Sequence, residues 1–173
     1  MELRKDIESG KIFIYPTDTV YGLGCDATND KAVDKIKKIK GRDEEKPLSI
    51  IAPSIDWIKE HCVVDFDIDK YLPGAYTLIL KKKDPSFLKK VASGDTLGVR
   101  IPKSEFCDDI RKIMRPFVTT SVNLSGEDAA ASIEEINLDL IDRVDEIIDI
   151  GKLNGNPSTL VIDGKEIKRN SEK

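Results

Sequence analysis

Short hydrogen-bonding side chains are concentrated beside apolar runs at two places in this sequence. The first stretch is YPTDTVYGLGCDA, residues 15–27, and the second is TTSVNLSG, residues 119–126. If the second stretch continues a strand, side-chain alternation puts Thr119, Ser121 and Asn123 on one face. Three such side chains form either a polar wall for a ligand or the edge of a β-bulge.

Basic side chains lie near predicted helix and strand ends elsewhere in the chain. In KIKGRDEEKPLSI, residues 38–50, Lys40 and Arg42 flank a helix C-terminus and Lys46 follows shortly after. A cation at the position of Lys40 also complements the helix dipole, which is a purely structural explanation. Arg100 interrupts the apolar run of LGVRIP, and a buried arginine needs an anionic partner. That partner is either an acid of this chain or a bound ligand.

Together these residues suit a polyanionic small molecule and a reaction that depends on positioning and charge stabilisation. Phosphoryl and nucleotidyl transfer work in this way and need little covalent help from side chains. The chain offers no plausible Ser–His–acid set or paired-carboxylate site, and with His61 as its one histidine a His-rich metal cluster is ruled out. Cys25, Cys62 and Cys107 form no C-x-x-C pair, so we interpret them as ordinary buried or half-buried thiols.

The segment Gly22 to Ala27 fits the dinucleotide fingerprint G-x-G-x-x-A, but its surroundings do not. That fingerprint requires a strand that runs directly into the glycine turn and then into a helix. Here residues 16–21 separate the first apolar run from Gly22, and the next helix begins only around Asp30. Because a G-x-x-x-x-G-K-[ST] loop is also missing, neither common phosphate-binding loop is predicted.

The chain carries 28 basic and 32 acidic residues, a formal net charge of −4, and these charges are unevenly distributed. Residues 31–47 and 81–90 are rich in lysine, whereas residues 127–149 are acidic. The basic segments are either solvated surfaces or local phosphate-binding sites. No apolar run has the length of a membrane span and the N-terminus has no signal-peptide core, so we expect a cytoplasmic protein without membrane contact.

Short β-like runs alternate with helical segments, which predicts one mixed α/β or α+β domain, residues 1–173, around a twisted sheet. Strands are predicted at 12–15, 48–51, 76–80, 97–101, 117–120, 146–150 and 159–162. Helices are predicted at 2–9, 30–40, 55–60, 104–114 and 132–142. The helix at 30–40 is the clearest, because Val33, Ile36 and Ile39 form an apolar stripe that Gly41 ends. The strand order does not follow from the sequence.

Six segments of the chain resemble, in order, the signature segments of the YrdC-like family, which comprises the threonylcarbamoyl-AMP synthases. They are YPTDTVYGLGCDA, KIKGR with KPLSI, PGAYTLIL, LGVRIP, TTSVNLSG and PSTLVI, and they cover about residues 5–170. The chain resembles the short form of the family, which lacks a C-terminal extension. The resemblance implies a twisted open sheet of mixed parallel and antiparallel strands, flanked by helices, with a deep electropositive cavity.

The resemblance also implies an enzyme, a nucleotidyltransferase. Its reaction converts L-threonine, bicarbonate and ATP into L-threonylcarbamoyladenylate and pyrophosphate, with Mg²⁺ accompanying the ATP and with no tightly bound cofactor or protein-held metal. A second enzyme system then transfers the threonylcarbamoyl group to an adenosine beside the anticodon of tRNA. The expected partners are therefore these three substrates and the tRNA-modifying machinery, and direct contact with RNA stays open.

Motif by motif, the resemblance implies roles for individual residues. The residues expected to support catalysis are Lys40, Arg42, Ser121 and Asn123. The residues expected to bind threonine are Thr19, Arg100, Thr119 and Ser158. The residues expected to bind the nucleotide are Arg42, Lys46, Thr96, Ser121 and Arg169. In this interpretation the anionic partner of Arg100 is the carboxylate of threonine.

Two positions in and beside KPLSI depart from the pattern of the family. Ile51 occupies the position of a histidine that contacts threonine in many relatives, and Lys46 stands where those relatives have asparagine. Two alternatives to the synthase therefore stay open. One is a divergent paralogue with an altered substrate. The other is a non-catalytic module that binds double-stranded RNA or tRNA through the basic segments.

Overall fold

The computed structural model describes residues 2–41, 43 and 45–169, and within them nine strands form one sheet. The strands are β1 (Phe13–Pro16), β2 (Tyr21–Gly24), β3 (Ser49–Ile51), β4 (Tyr76–Lys81), β5 (Thr96–Arg100), β6 (Phe117–Ser121), β7 (Glu146–Ile147), β8 (Thr159–Ile162) and β9 (Lys165–Ile167). The helices are α1 (Leu3–Glu8), α2 (Asp30–Ile39), α3 (Ile55–His61), α4 (Glu105–Lys112) and α5 (Leu138–Ile141). Two 3₁₀ turns span Ile68–Lys70 and Ile133–Glu135. Across this part of the chain, every helix is too short or too polar to cross a membrane.

The sheet mixes parallel and antiparallel strands, as the sequence predicts. Its strand order is β7-β1-β2-β6-β3-β5-β4-β8-β9. The pairs β1–β7, β3–β5 and β4–β8 are parallel, and the remaining neighbours are antiparallel. This order brings β3, β5 and β6, which are far apart in the chain, to the middle of the sheet.

Alternate residues of the strands pack into two separate cores, one on each face of the sheet. In β1, Ile14 joins a large aliphatic core with α2 and α3, whereas Phe13 joins a smaller aromatic core with α1 and α4. In β6, Val118 and Phe117 divide in the same way. Because side chains alternate along a strand, Thr119 follows Phe117 on the face of the aromatic core. That core therefore covers one end of its face, and Thr119 and Ser121 of β6 lie further along the same face.

Four of the predicted helices are confirmed to within two residues at each end. The predicted helix at 132–142 is wrong, because a 3₁₀ turn and the short helix α5 take its place. The backbone of Ile136 is extended (φ −79°, ψ 134°), which ends the 3₁₀ turn. The side chain of Asn137 then accepts a hydrogen bond from the backbone N–H of Asp139 and starts a new helix. The predicted strand at 146–150 is also shorter, since β7 ends at Ile147.

The strands β2 and β9 were not predicted, and β2 matters most because it begins at the cavity described below. Its sequence YGLG resembles a turn, but both glycines lie in the strand to make room for neighbours. A Cβ added to Gly22 would lie 2.8 Å from Cζ of Tyr15, and one added to Gly24 would overlap the carbonyl oxygen of Val118. The two glycines of the segment Gly22 to Ala27 therefore belong to a strand of the β1–β2 hairpin. The prediction that this segment is not a dinucleotide-binding loop is confirmed.

Candidate functional site

A cavity of about 470 Å³ opens on the sheet face beyond the aromatic core, a size typical of small-molecule sites. Eight of its described lining residues are serines or threonines: Thr17, Thr19, Ser49, Thr77, Thr119, Thr120, Ser121 and Ser158. The charged side chains among the described lining residues are Arg100 and Arg169, both cationic. The wall is therefore rich in hydroxyl groups and carries two guanidinium groups, which favours a polar ligand with acceptor oxygens.

The floor of the cavity carries Ser49 of β3 and Thr77 of β4, which pack beside Gly98 of β5. Ser49 pairs with Gly98 across the parallel strands. A Cβ added to Gly98 would overlap Oγ of Ser49 and would lie 3.4 Å from Cγ2 of Thr77. Beside them the hydroxyl groups of Thr77 and Ser158 are 2.8 Å apart and form a buried hydrogen bond. A glycine at position 98 thus lets polar side chains from neighbouring strands meet at the floor.

The loop between β1 and β2, residues 17–20, is held in place by its own hydroxyl groups. Oγ1 of Thr17 donates to the carbonyl oxygen of Val20 at 2.8 Å and accepts from the backbone N–H of Thr19 at 3.1 Å. The Oγ1 atoms of Thr17 and Thr19 are 2.8 Å apart. Because the one hydroxyl proton of Thr17 goes to Val20, Thr19 is the donor in that contact. The proton of Thr19 is therefore committed, and its oxygen is left to accept.

Arg100, the last residue of β5, is only 6% exposed. Its Nη2 donates to Oδ1 of Asp18 at 2.8 Å and to Oγ1 of Thr19 at 3.3 Å. The anionic partner that the sequence requires is therefore, at least in part, an acid of this chain. Nε of Arg100, however, is buried without a hydrogen-bond partner. Leaving such a donor unpaired costs about 1–3 kcal/mol or more, and a ligand oxygen bonded to Nε would remove that cost.

A buried lysine organises the end of β6. Lys40 follows α2, is 3% exposed, and donates from Nζ to the carbonyl oxygen of Ser121 and, at 2.8 Å, to Oδ1 of Asn123. The same Oδ1 accepts from Oγ of Ser121 at 2.7 Å, while Nδ2 of Asn123 donates to the carbonyl oxygen of Glu127. Lys40 and Asn123 therefore support the cavity wall from behind, and Ser121 is where this network meets the cavity.

Six of the residues predicted for the site line the cavity: Thr19, Arg100, Thr119, Ser121, Ser158 and Arg169. Strand alternation holds for Thr119 and Ser121, but β6 ends at Ser121, so the alternation does not reach Asn123. These positions are compatible with the roles assigned to the six residues, and the roles themselves stay predictions.

Five further predicted residues are not placed on the described lining of the cavity. Lys40 and Asn123 lie behind the wall, as described above. Lys46 is exposed immediately before Pro47, which does line the cavity. Thr96 is exposed at the start of β5, at the other end of the strand from Arg100. Arg42 lies outside the described residues, so its predicted role stays a prediction.

Sequence reasoning missed Asp18, Ser49 and Thr77 as site residues. The signal for Asp18 was available, because an acid in the loop of Thr19 could satisfy the arginine that needed an anion. Ser49 and Thr77 are each a single polar residue inside an apolar strand, which is the usual sign of a polar position on a buried face. What the sequence could not show is that these three come together, since the strand order decides it.

The three cysteines are buried free thiols. Burial raises the pKa of Cys62 to about 11 and that of Cys107 to about 12, and it raises the pKa of Cys25 well above its ordinary value. All three are therefore protonated at neutral pH, which makes them poor nucleophiles. Their interpretation as ordinary buried thiols is confirmed. Within the described part of the chain, the His, Cys, Asp and Glu residues also form no group of three or more that could hold a metal ion.

The basic segment at 81–90 is only partly a solvated surface. Lys82 is 1% exposed, and its Nζ donates to the carbonyl oxygens of Pro85, Phe87 and Ala92 at 2.9, 3.1 and 2.9 Å. Desolvation lowers the pKa of Lys82. The ring of His61 stacks on Phe87, with the centroids 4.5 Å apart. The lone histidine and one of the lysines thus stabilise the loop that follows β4.

Comparison with known proteins identifies the family. The family model described as "Telomere recombination", whose name joins Sua5, YciO and YrdC, matches residues 5–171. The chain therefore belongs to the Sua5/YciO/YrdC family, and the prediction made from the six sequence segments is confirmed. The twisted mixed sheet flanked by helices is also the fold of the solved structures of this family.

Individual relatives indicate which class of enzyme within the family this chain resembles. A Methanocaldococcus jannaschii protein provisionally named threonylcarbamoyl-AMP synthase is 39% identical over 164 residues, which cover 92% of this chain and 77% of that protein. The crystal structure of P. abyssi Sua5 complexed with L-threonine is 30% identical, with a TM-score of 0.82 over 94% of this chain and 50% of that chain. HypF in its phosphate- and nucleotide-bound form is 26% identical, with a TM-score of 0.83 over 95% of this chain and 27% of that chain. This chain thus spans about half the length of the Sua5 protein, and the relatives support an enzyme of the threonylcarbamoyl-AMP synthase class.

Proposed function

We propose that this protein converts L-threonine, bicarbonate and ATP into L-threonylcarbamoyladenylate and pyrophosphate. The product would supply the threonylcarbamoyl group for an adenosine beside the anticodon of tRNA. The observation that carries the proposal is Arg100, a buried guanidinium on the wall of a hydroxyl-rich cavity whose Nε has no partner. An amino acid carboxylate is an acceptor that such a guanidinium binds well.

The amino acid would lie at the Arg100 end of the cavity. Its carboxylate would bond to the guanidinium, and its amino group would donate to Oγ1 of Thr19, whose own proton goes to Thr17. The paired hydroxyl groups of Thr77 and Ser158 offer further polar contacts at the floor. L-threonine in the P. abyssi Sua5 structure supports an amino acid as one ligand.

The nucleotide would lie towards Ser121 and Arg169. Arg169 supplies a positive charge on the lining, and Lys40 supports Ser121 from behind. Arg42, Lys46 and the strand end at Thr96 stay predicted contributors. Mg²⁺ would arrive with the ATP, held by its phosphate oxygens. HypF in its phosphate- and nucleotide-bound form supports nucleotide binding by a member of this fold.

In the proposed reaction, the amine of threonine and bicarbonate form a carbamate with loss of water. A carbamate oxygen attacks the α-phosphorus of ATP, the bond to the β-phosphate bridging oxygen breaks, and pyrophosphate leaves with that electron pair. No side chain needs to form a covalent bond. The protein contributes by holding the two reactants in line and by placing fixed donors and cations where negative charge develops.

The test is pyrophosphate release from ATP by the purified protein, with L-threonine and bicarbonate each omitted in turn. We expect release only when both are present. Arg100→Ala should raise the threonine concentration needed for half-maximal release about ten-fold or more and change that for ATP within about two-fold, because it removes a contact to one substrate. An unchanged threonine requirement in a folded Arg100→Ala protein would return this arginine to a structural role.

The omission experiment also separates the two alternatives. Ile51, the position of the histidine expected from many relatives, is fully buried in the aromatic core and pairs with Arg100 in the β3–β5 register. An apolar residue therefore lies beside the proposed amino acid site, which is the reason to test other amino acids. Release that depends on another amino acid would favour the divergent paralogue. No release, together with RNA binding that weakens steeply with salt, would favour the RNA-binding module. Because Lys82 is buried, a charge-neutralised variant for that test should change Lys81 and Lys89, which are exposed.

A further inference from the structure

Asp18 forms a closely packed ion pair with Arg100 at the edge of the cavity. Oδ1 of Asp18 lies 2.8 Å from Nη2 of Arg100, and the two side chains are only 12% and 8% exposed. Oδ2 of Asp18 accepts from the backbone N–H of Lys103 at 2.9 Å, and Nδ2 of Asn154 donates to the Asp18 carbonyl oxygen at 3.0 Å. The carboxylate is thus held in one position from several sides, and it in turn fixes the guanidinium.

This ion pair changes what the arginine can bind. The charges of Asp18 and Arg100 cancel, so a carboxylate bound to the guanidinium leaves a net charge of about −1 at the site. A terminal phosphate group carries a charge of about −1.5 to −2 at neutral pH, and a carboxylate that cannot move away would repel this larger charge more strongly. Charge repulsion is weakly screened in a buried site. The same guanidinium without Asp18 would favour the phosphate, because the doubly charged ligand would then gain more from the cation.

We propose that Asp18 is a positioning and specificity-determining residue, which restricts the Arg100 subsite to singly charged carboxylates and excludes phosphate groups. The inference rests on the proposed function in one respect, that the ligand of Arg100 is an amino acid carboxylate. Arg169 follows β9, which is three strand positions from β5, roughly 14 Å across the sheet. A cavity that holds an amino acid and a nucleotide together would in this way keep the terminal phosphate of the nucleotide away from Arg100.

The direct test is calorimetric titration of the wild-type protein and of Asp18→Asn with L-threonine and with inorganic phosphate. Asparagine has the same shape and keeps one acceptor for Arg100, but it removes the negative charge. We expect Asp18→Asn to bind phosphate about ten-fold more tightly and threonine about three-fold or more weakly, since the charge is lost and the guanidinium is held less firmly. Equal changes in the affinity for both ligands, or an unchanged affinity for phosphate, would overturn the proposal.

Asp26→Asn is the matched control. Asp26 is also buried and also paired with an arginine, with Oδ2 3.0 Å from Nη1 of Arg115, and neither residue is on the described lining of the cavity. This control loses the same charge and an ion pair of its own, although its arginine is more exposed, at 42%, than Arg100, at 8%. Its ratio of phosphate affinity to threonine affinity should stay within about two-fold of the wild-type ratio. A shift as large as that of Asp18→Asn would mean that overall charge or stability, and not the subsite, causes the change.

A second test needs no variant and covers the case in which Asp18→Asn does not fold. The phosphonate analogue of threonine is titrated into the wild-type protein above and below the pH of its second phosphonate ionisation, with L-threonine as the reference at each pH. We expect the doubly charged form to bind about ten-fold or more weakly than the singly charged form, and equal binding would overturn the proposal. Failure of the wild-type protein to bind threonine at all would contradict the proposed function. The phosphate titrations of the wild-type protein and of Asp18→Asn would still test the role of Asp18 in that case.

Discussion

Lys40 and Lys82 are both buried, and both hold backbone carbonyl oxygens with their ammonium groups, yet their surroundings differ. The three hydrogen bonds of Lys82 all go to carbonyl oxygens of one loop, residues 85–92, and they use every donor of its ammonium group. Lys40 bonds to the Ser121 carbonyl oxygen and to the Asn123 side chain, and Asn123 in turn bonds to the Ser121 hydroxyl group. Only the second network reaches a residue that lines the cavity.

The difference shows that burial of a cation does not by itself mark a functional site. Burying an ammonium group is costly in either place, and hydrogen bonds to fixed oxygens offset that cost in both. What separates the two lysines is the position of their partners. Lys82 should therefore contribute to stability, and Lys40 should contribute to the activity that we propose.

The largest effect is expected for Lys40→Met. It removes the charge-assisted hydrogen bonds to the Ser121 carbonyl oxygen and to Asn123, each worth about 1.5–3 kcal/mol, and releases the wall that carries Ser121. We expect pyrophosphate release per folded molecule to fall about a hundred-fold or more, and Lys82→Met to stay within about two-fold of the wild-type rate. The folded fraction of each variant is measured by circular dichroism. Similar losses of activity in both variants would remove the distinction between the two lysines.

Lys82→Met should show its effect in stability. The change removes the donor from three carbonyl oxygens, and the bond to Ala92 is fully buried, so we expect the free energy of unfolding to fall by about 2–3 kcal/mol. Urea denaturation measures it, with Lys81→Met as the control at the exposed neighbouring position. That control should change stability by no more than about 0.5 kcal/mol. If Lys82→Met is as stable as the control, the loop does not depend on the buried ammonium.

The smallest effect concerns stability at high pH in the region of Lys82. Cys62 forms a β-bridge with Lys82, and burial raises the pKa of its thiol from 9.0 to about 11. Between those values the unfolded chain has lost the thiol proton and the folded protein retains it, so stability falls as pH rises. The contribution of Cys62 is at most about 1.4 kcal/mol per pH unit. The lowered pKa of Lys82 acts in the opposite direction, because there the unfolded chain holds more protons.

Cys62→Ala should therefore lose stability less steeply than the wild-type protein between about pH 9 and pH 11. Urea denaturation at a series of pH values gives the two slopes, and the comparison of slopes is independent of the cavity that the smaller side chain leaves. Cys25 and Cys107 are unchanged in both proteins and contribute equally to each curve. Parallel curves would show that the Cys62 thiol does not titrate with a raised pKa.

Much of the fold could be predicted from local patterns, and the errors have physical causes. The helix at 30–40 was found because its apolar stripe, its Asn29 cap and Gly41 agree, whereas the helix at 132–142 was wrong because Asn137 forms a local cap that periodicity does not report. The strand β2 was missed because the reason for its glycines is not local. They leave room for Tyr15 on β1 and for Val118 on β6, and the sequence does not show that these residues are neighbours. The single-domain organisation and the roles of individual site residues stay predictions.

The sequence by itself determined the family, the mixed sheet and the residue types of the site, because six motifs in order and local hydrophobic patterns are properties of the chain alone. The tertiary structure decided which of those residues meet. The strand order brings Asp18 to Arg100 and Lys40 to Ser121, so an arginine that needed an anion has both an internal acid and an unpartnered Nε. Asp18 and Arg100 are 82 residues apart in the chain, and no local pattern of residues specifies a contact over such a separation.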